Sequence, residues 1–224
     1  MLELESVSLV YRTGGTDFYA VRDVSFSVPR GTFLGLMGPS GSGKSSLLYL
    51  LSGMKAPSAG AVRFLGHQLH SMAPSRRAEV RRQHFGFVFQ QHFLIHYLTV
   101  LENVLVGCVR ADADNRRRAV DLLERVGLAG HLHKKPPELS GGQRQRVAVV
   151  RAVVGRPDVI FADEPTAALD HKTGLHLIGE LEAYRRDGGT LVVVTHDPMV
   201  LEGADRIIRI MDGELIDGGT AYFA

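Results

Sequence analysis

The segment Gly38-Pro39-Ser40-Gly41-Ser42-Gly43-Lys44-Ser45 has the spacing G-x4-G-K-[ST], a Walker A phosphate loop. Its residue types suit an anion. Glycines let successive backbone N–H groups turn toward one point without Cβ clashes. The N-terminus of a following helix adds positive potential. Lys44 would reach the β- and γ-phosphates and Ser45 would offer a hydroxyl to Mg2+. Ser40, Ser42 and Ser46 join them in the nucleotide-binding set. By itself the loop specifies only a nucleoside triphosphate, and a kinase, a GTPase or a motor would satisfy it.

A second glycine segment, Leu139-Ser140-Gly141-Gly142-Gln143, precedes a helix-like run from Arg144 to Val154. Ser140 is a natural N-cap, so this is another glycine-lined helix start. A second anion site is unusual for a kinase that already has a phosphate loop. Third, the apolar run Val159-Ile160-Phe161-Ala162 ends in the carboxylates Asp163 and Glu164. Asp163 can hold Mg2+, directly or through water. Glu164 is then placed to polarise an attacking water as a general base. A lone Asp-Glu pair after an apolar strand says little. After a phosphate loop and a second glycine segment it reads as a Walker B pair.

These groups need strands and helices to aim them. Val24–Val28 alternates apolar and polar residues, as a half-buried strand does. Thr32–Met37 is mostly apolar, the pattern of a strand buried on both faces. It runs into the phosphate loop, and Lys44–Met54 then reads as a helix. Ala61–Gly66 and Phe85–Phe89 read as further strands. From about Thr99 to Gly155 apolar residues recur at helical spacing, as in Val100, Leu101, Val104 and Leu105, and strand signals vanish. Strands resume at Val159. Asp170 caps a helix to about Arg186, Thr190–Thr195 is a Val-rich strand, and Asp212-Gly213 makes a hairpin turn. The expected fold class is α/β, with a mainly parallel sheet and an all-α insertion. Residues 90–157 form the expected helical subdomain; 1–89 and 158–224 form the rest of a single domain.

The 224 residues are 45% hydrophobic and 22% charged, ordinary for a globular protein. Glycine is in excess, 25 residues with only 9 prolines and no repeat period, which points to tight turns rather than a collagenous chain. The single cysteine, Cys108, excludes an internal disulfide framework. No apolar run approaches the ~18–20 residues of a membrane span. Met1–Glu5 carries acid where a signal peptide carries base, so a cytoplasmic protein is expected. A net charge of +2 gives no reason to expect nucleic acid as a partner. The arginines cluster at 76–82 and 116–118. Solvated helix faces explain them, and contact with anionic lipid or an acidic partner is the sharper alternative. His131 and His133 resemble a metal pair but lack a third ligand nearby. His67, His70, His84, His92 and His96 suggest no role.

On these motifs, in this order and spacing, the chain resembles the nucleotide-binding ATPase subunits of ABC transporters along essentially its whole length. The resemblance implies a P-loop NTPase (RecA-like) core with an antiparallel β subdomain and an inserted α-helical subdomain. It implies ATP and Mg2+. It matches Tyr11 to the aromatic that stacks on adenine, with Tyr19 and Phe18 as nearby competitors. Gln90, after Phe87-Val88-Phe89, matches the Q-loop glutamine that touches Mg2+ and couples to the membrane partner. Ala168-Leu169-Asp170 matches the D-loop, a role compatible with helix capping by Asp170. His196, in Val194-Thr195-His196-Asp197, matches the switch histidine that contacts the γ-phosphate. In this family two ATPases pair head to tail. The Ser140-Gly141-Gly142-Gln143 segment of one then closes over the ATP held by the other, and the pair drives a membrane permease.

Within the family, Gly86–Val104 is similar to the lipoprotein-release and macrolide-export ATPases. Asp163–Asp170 and the 194–197 and 204–207 segments look closest to the DevA-type glycolipid-export relatives. Ala167-Ala168 replaces the Gly-Asn usual in lipoprotein release, and Thr32 replaces the usual Glu after Gly31. No C-terminal regulatory domain of the kind sugar importers append is expected, since the last expected strand lies close to Ala224. These features imply export or extraction of a lipid, lipoprotein or hydrophobic compound, at the cytoplasmic face of the membrane. A non-transport mechanotransmission ATPase, as in cell division, is the alternative.

Overall fold

A computed structural model of the chain describes residues 1–167 and 169–216. Ala168 of the D-loop match and the C-terminal residues 217–224 lie outside the described residues. The chain divides into two compact units, Met1–Arg81 with Val192–Ala224, and Arg82–Leu191.

In the first unit, β1 (Leu2–Thr13) and β2 (Thr16–Val28) form a long antiparallel hairpin. Its register pairs Thr13 with Thr16, leaving Gly14 and Gly15 as a two-residue turn with φ of 59° and 83°. Two left-handed positions in succession define the turn that matches strand twist, and glycine adopts them without penalty. β3 (Phe33–Met37) follows, then the phosphate loop and α1 (Lys44–Leu51). α1 ends three residues before the expected Met54, where the chain turns at Gly53 with φ 64°. β4 (Ala59–Phe64) pairs antiparallel with β1, and β5 (His67–Gln68) with β4. α2 (Pro74–His84) carries the first arginine cluster and crosses the division between units.

The second unit holds β6 (Phe85–Val88), α3 (Val100–Leu105), α4 (Ala113–Arg125), α5 (Gly141–Val154), β7 (Val159–Asp163) and α6 (His171–Arg186). β6 and β7 are parallel, Phe85 opposite Val159. Every residue of β7 is buried, as its unbroken apolar run requires. α5 is the central helix, contacting α3, α4, α6 and β6. Two glycines permit its close packing. A Cβ at Gly86 would stand 2.4 Å from the Ala152 carbonyl, and one at Gly107 would stand 2.0 Å from that of Arg151. The second unit extends beyond residues 90 and 157 because β6 packs against α5 and pairs with β7. β8 (Thr190–Val194) is split by the division. Strand order is β8-β7-β6 in the second unit. In the first it is β10-β9-β3-β8, with β9 (Arg206–Met211) parallel to β3 and β10 (Glu214–Leu215) antiparallel to β9.

The arginine clusters lie on α2 and α4, and two of their members close other helices. Arg81 donates to the Gly53 carbonyl at 3.2 Å, just past α1. Arg118 donates to the Val154 carbonyl at 3.2 Å, at the end of α5. A cation there meets the carbonyls a helix terminus leaves over. Burial holds both guanidiniums below their usual pKa.

Candidate nucleotide site

The phosphate loop is shaped by close approaches. A Cβ at Gly38 would stand 2.1 Å from the Ile210 carbonyl oxygen, and one at Gly43 2.0 Å from that of Ala20. Gly43 also has φ 102°. Gly41 has open space around it but φ 80°, so there the backbone angle demands glycine. The loop is fastened by Ser42 N–H to the Pro39 carbonyl (3.2 Å) and by Gly213 N–H to the Ser42 carbonyl (3.0 Å).

What the loop lacks is as informative. α3, α4, α5 and α6 each begin under a side-chain cap: Thr99, Asp112, Ser140 and Asp170. α1 begins at Gly43 with no side-chain cap and no acid in its first turn. No side chain at the N-cap position caps its first turn. The Ser42 hydroxyl is buried with no hydrogen-bond partner in the described structure. Lys44 curls back, its Nζ donating to the carbonyls of Gly38 (2.8 Å) and Pro39 (2.7 Å). A concave set of donors, one cation and no carboxylate in the helix's first turn fits a phosphate chain. Ser45 and Ser46, half-buried, occupy the same first turn, and Ser40 lies exposed in the loop.

The candidate base platform and the candidate switch histidine also belong to this unit. Tyr11 is half-buried near the tip of the β1–β2 hairpin, opposite the exposed Phe18. Tyr19 is exposed, with the Arg22 guanidinium 4.5 Å from its ring centroid. His196 is exposed just past β8. The N–H of Thr195 donates to the Leu36 carbonyl at 3.2 Å, which brings this loop beside the strand that enters the phosphate loop.

In the second unit Asp163 closes β7 and is buried. Glu164 is half-buried and has φ 49°, a left-handed backbone at a residue with a side chain. Such positions cost on the order of 1–3 kcal/mol and persist where the surroundings impose them. Part of that imposition is visible. Gln145 of α5, buried, donates its amide to the Pro165 carbonyl at 2.8 Å. The helix carrying the second glycine segment thus grips the turn after Glu164. Sequence reading missed Gln145; the signal was an amide among α5's apolar residues.

Ser140 is exposed, and it forms a full capping box. Its hydroxyl accepts from Gln143 N–H (3.2 Å) and its own N–H donates to Gln143 Oε1 (2.8 Å). The box starts α5 at Gly141, three residues before the helix-like run begins, so both glycines lie in the first turn. Asp170 accepts from the Thr173 N–H (3.0 Å) and hydroxyl (2.7 Å), capping α6, and these bonds hold its carboxyl below the usual value.

Gln90 is exposed just beyond β6. The loop after it is held from two sides. Arg151 of α5 donates to the carbonyls of Phe93 (2.7 Å) and His92 (2.9 Å). Asn103 of α3, buried, accepts from Ile95 N–H at 2.7 Å and donates to the carbonyls of Ile95, Leu98 and Thr99. Burial first, then Arg144 and Arg151, lower the His92 pKa and keep that ring neutral beside the guanidiniums. Arg151→Met would keep the apolar stem and orphan two carbonyls. It is expected to cost about 1–3 kcal/mol. A depressed melting temperature would show it, and a melting curve matching wild type would refute the restraint. Among the described residues no group of three His, Cys, Asp or Glu could hold a metal, so His131 and His133 gain no third ligand. No helix among them is long and apolar enough to cross a membrane.

Comparison with known proteins bears on the family and the fold. The family model described as ABC transporter matches residues 21–167. A macrolide export ATP-binding/permease protein, MacB, of Bartonella henselae is 40% identical over 227 residues. The match covers 100% of this chain but 34% of that protein, so the chain spans about a third of the length of such relatives. An ABC transporter ATP-binding protein of Methanocaldococcus jannaschii is 40% identical over 220 residues, 97% of this chain and 98% of that one. Among solved structures, a dimeric ATP-binding cassette in a post-hydrolysis state bound to ADP and Pi superposes with a TM-score of 0.93 at 38% identity, covering 100% of both chains.

Proposed function

The chain belongs to the ABC transporter family, and from that premise we propose that it is an ATP-hydrolysing subunit that dimerises on ATP to drive a membrane permease. The observation that carries the nucleotide reading is the uncapped, glycine-opened start of α1, in a chain whose helices α3 to α6 are all side-chain capped. In this reading Lys44, the N–H groups of Gly41 and Gly43 and the hydroxyls of Ser40, Ser42 and Ser46 receive the triphosphate. Tyr11 stacks on the base. Ser45, Gln90 and Asp163 would hold Mg2+. Bound Mg2+ supplies charge neutralisation across the phosphates. Glu164 accepts a proton from the attacking water, and His196 donates to the terminal phosphate. Phosphoryl transfer to water is mainly positioning and charge stabilisation, which is what this set of residues offers.

The exposed N-terminus of α5, with Ser140, Gly141, Gly142 and Gln143, is read as the lid over the nucleotide of a second copy, and Asp170 lies at the same junction. Residues 90–157 act as the helical subdomain that carries this lid. The likeness to macrolide export proteins supports a permease partner and export or extraction of a lipid, lipoprotein or hydrophobic compound, with the chain at the cytoplasmic face of the membrane. Phe93 and Tyr97, 62% and 76% exposed beside the loop that follows Gln90, offer the permease an apolar contact. Phosphate release by the purified chain tests the dimer. Its rate per chain should rise with chain concentration and vanish when EDTA removes Mg2+. A rate per chain that stays flat while the protein sediments as a monomer would refute the shared site.

A further inference from the structure

We propose that Lys55 is a positioning residue for the nucleotide base: it anchors the Tyr11 side chain by its hydroxyl and ties it to the phosphate-binding helix. The proposal rests on the reading of Tyr11 as the base platform. Lys55 Nζ donates to the Tyr11 hydroxyl at 2.5 Å and stands 4.2 Å from the ring centroid. At these two distances the ammonium stands beyond the hydroxyl, past the ring's edge, and leaves the ring faces for a base. The bond to the hydroxyl restrains the tip of the side chain.

The lysine is itself held by its backbone. Its N–H donates to the Tyr49 carbonyl in α1 at 3.0 Å, so it leaves directly from the helix that begins at Lys44. Its carbonyl accepts from His70 Nε2 at 2.7 Å. Burial lowers the His70 pKa, which keeps that ring neutral. Three residues on, the Ser58 hydroxyl accepts from Val10 N–H at 3.0 Å, and Ser58 N–H donates to the Ser8 carbonyl at 2.7 Å. The loop from Lys55 to Ser58 is thus fastened to β1 beside Tyr11. A single ammonium links the element that receives phosphate to the ring that would receive the base. A platform set in place before binding loses less freedom on binding.

The test is calorimetric binding of ATP and of inorganic tripolyphosphate to wild type, Lys55→Met, Lys55→Arg, Tyr11→Leu and the Lys55→Met/Tyr11→Leu double variant. Lys55→Met should weaken ATP binding by about 3–5-fold and leave tripolyphosphate affinity unchanged. KM for ATP should rise by a similar factor without a fall in kcat. Lys55→Arg, which keeps the cation and a donor, should recover part of the loss. In the Tyr11→Leu background the Lys55→Met effect should disappear. Equal losses for ATP and tripolyphosphate would overturn the proposal, as would an undiminished loss in the Tyr11→Leu background or unchanged ATP affinity. If Tyr11→Leu alone leaves ATP affinity intact, the base-platform reading fails first and the proposal falls with it.

Discussion

Glu164→Gln is expected to lower ATP turnover by roughly 10²–10⁴-fold while leaving ATP binding intact. Glutamine keeps the length and one acceptor oxygen of the side chain, so a bound water still finds a partner. It cannot take the water's proton, and that is the contribution being removed. The unusual backbone at Glu164, φ 49°, is retained by glutamine, which faces the same left-handed geometry. The grip of Gln145 on the Pro165 carbonyl is also unchanged. Folding and nucleotide affinity should therefore match wild type. Because hydrolysis is what reopens the proposed dimer, the variant should accumulate as an ATP-bound dimer, seen by sedimentation with and without ATP. Single-turnover hydrolysis near the wild-type rate would refute the base assignment.

Lys44→Ala should weaken ATP binding by about 10–100-fold, the size expected for one charge-assisted contact to phosphate. Lys44 Nζ donates to the Gly38 and Pro39 carbonyls. It can exchange those neutral acceptors for an anion when phosphate arrives. Alanine removes the cation and leaves the two carbonyls to water. The loop's backbone bonds from Ser42 and Gly213 do not involve the side chain, so the cradle should persist. Isothermal titration with ATP distinguishes the outcomes. Unchanged affinity would count against the phosphate-loop reading itself.

Much of the fold is local and so was legible. The alternation in Val24–Val28, the apolar runs at Phe33–Met37 and Val159–Asp163, and the Asp212-Gly213 turn each follow from side-chain period or turn chemistry over a few neighbours. The caps at Ser140 and Asp170 are three-residue reaches, equally visible in sequence. α1 stops short of the expected Met54 because the chain turns at Gly53, although the apolar spacing continues past that glycine. The arginine clusters read as solvated faces, yet Arg81 and Arg118 close helices far away in the chain.

The sequence by itself determined which chemical groups the protein has and which helix ends and strand ends they sit on. A strand, glycines, a lysine and a helix start are consecutive, and their order in the chain is their order in space. Only the tertiary structure decided which glycines are obligatory and which residues hold the functional groups still. Gly38 and Gly43 are forced by the Ile210 and Ala20 carbonyls. Gln145 restrains the turn after Glu164, Arg151 the loop after Gln90, and Lys55 the Tyr11 ring. Each of these is a contact between distant positions. Periodicity and capping rules act over one turn of helix or one pleat of strand, so no local pattern encodes them. They exist only once the backbone has brought the partners within hydrogen-bond reach.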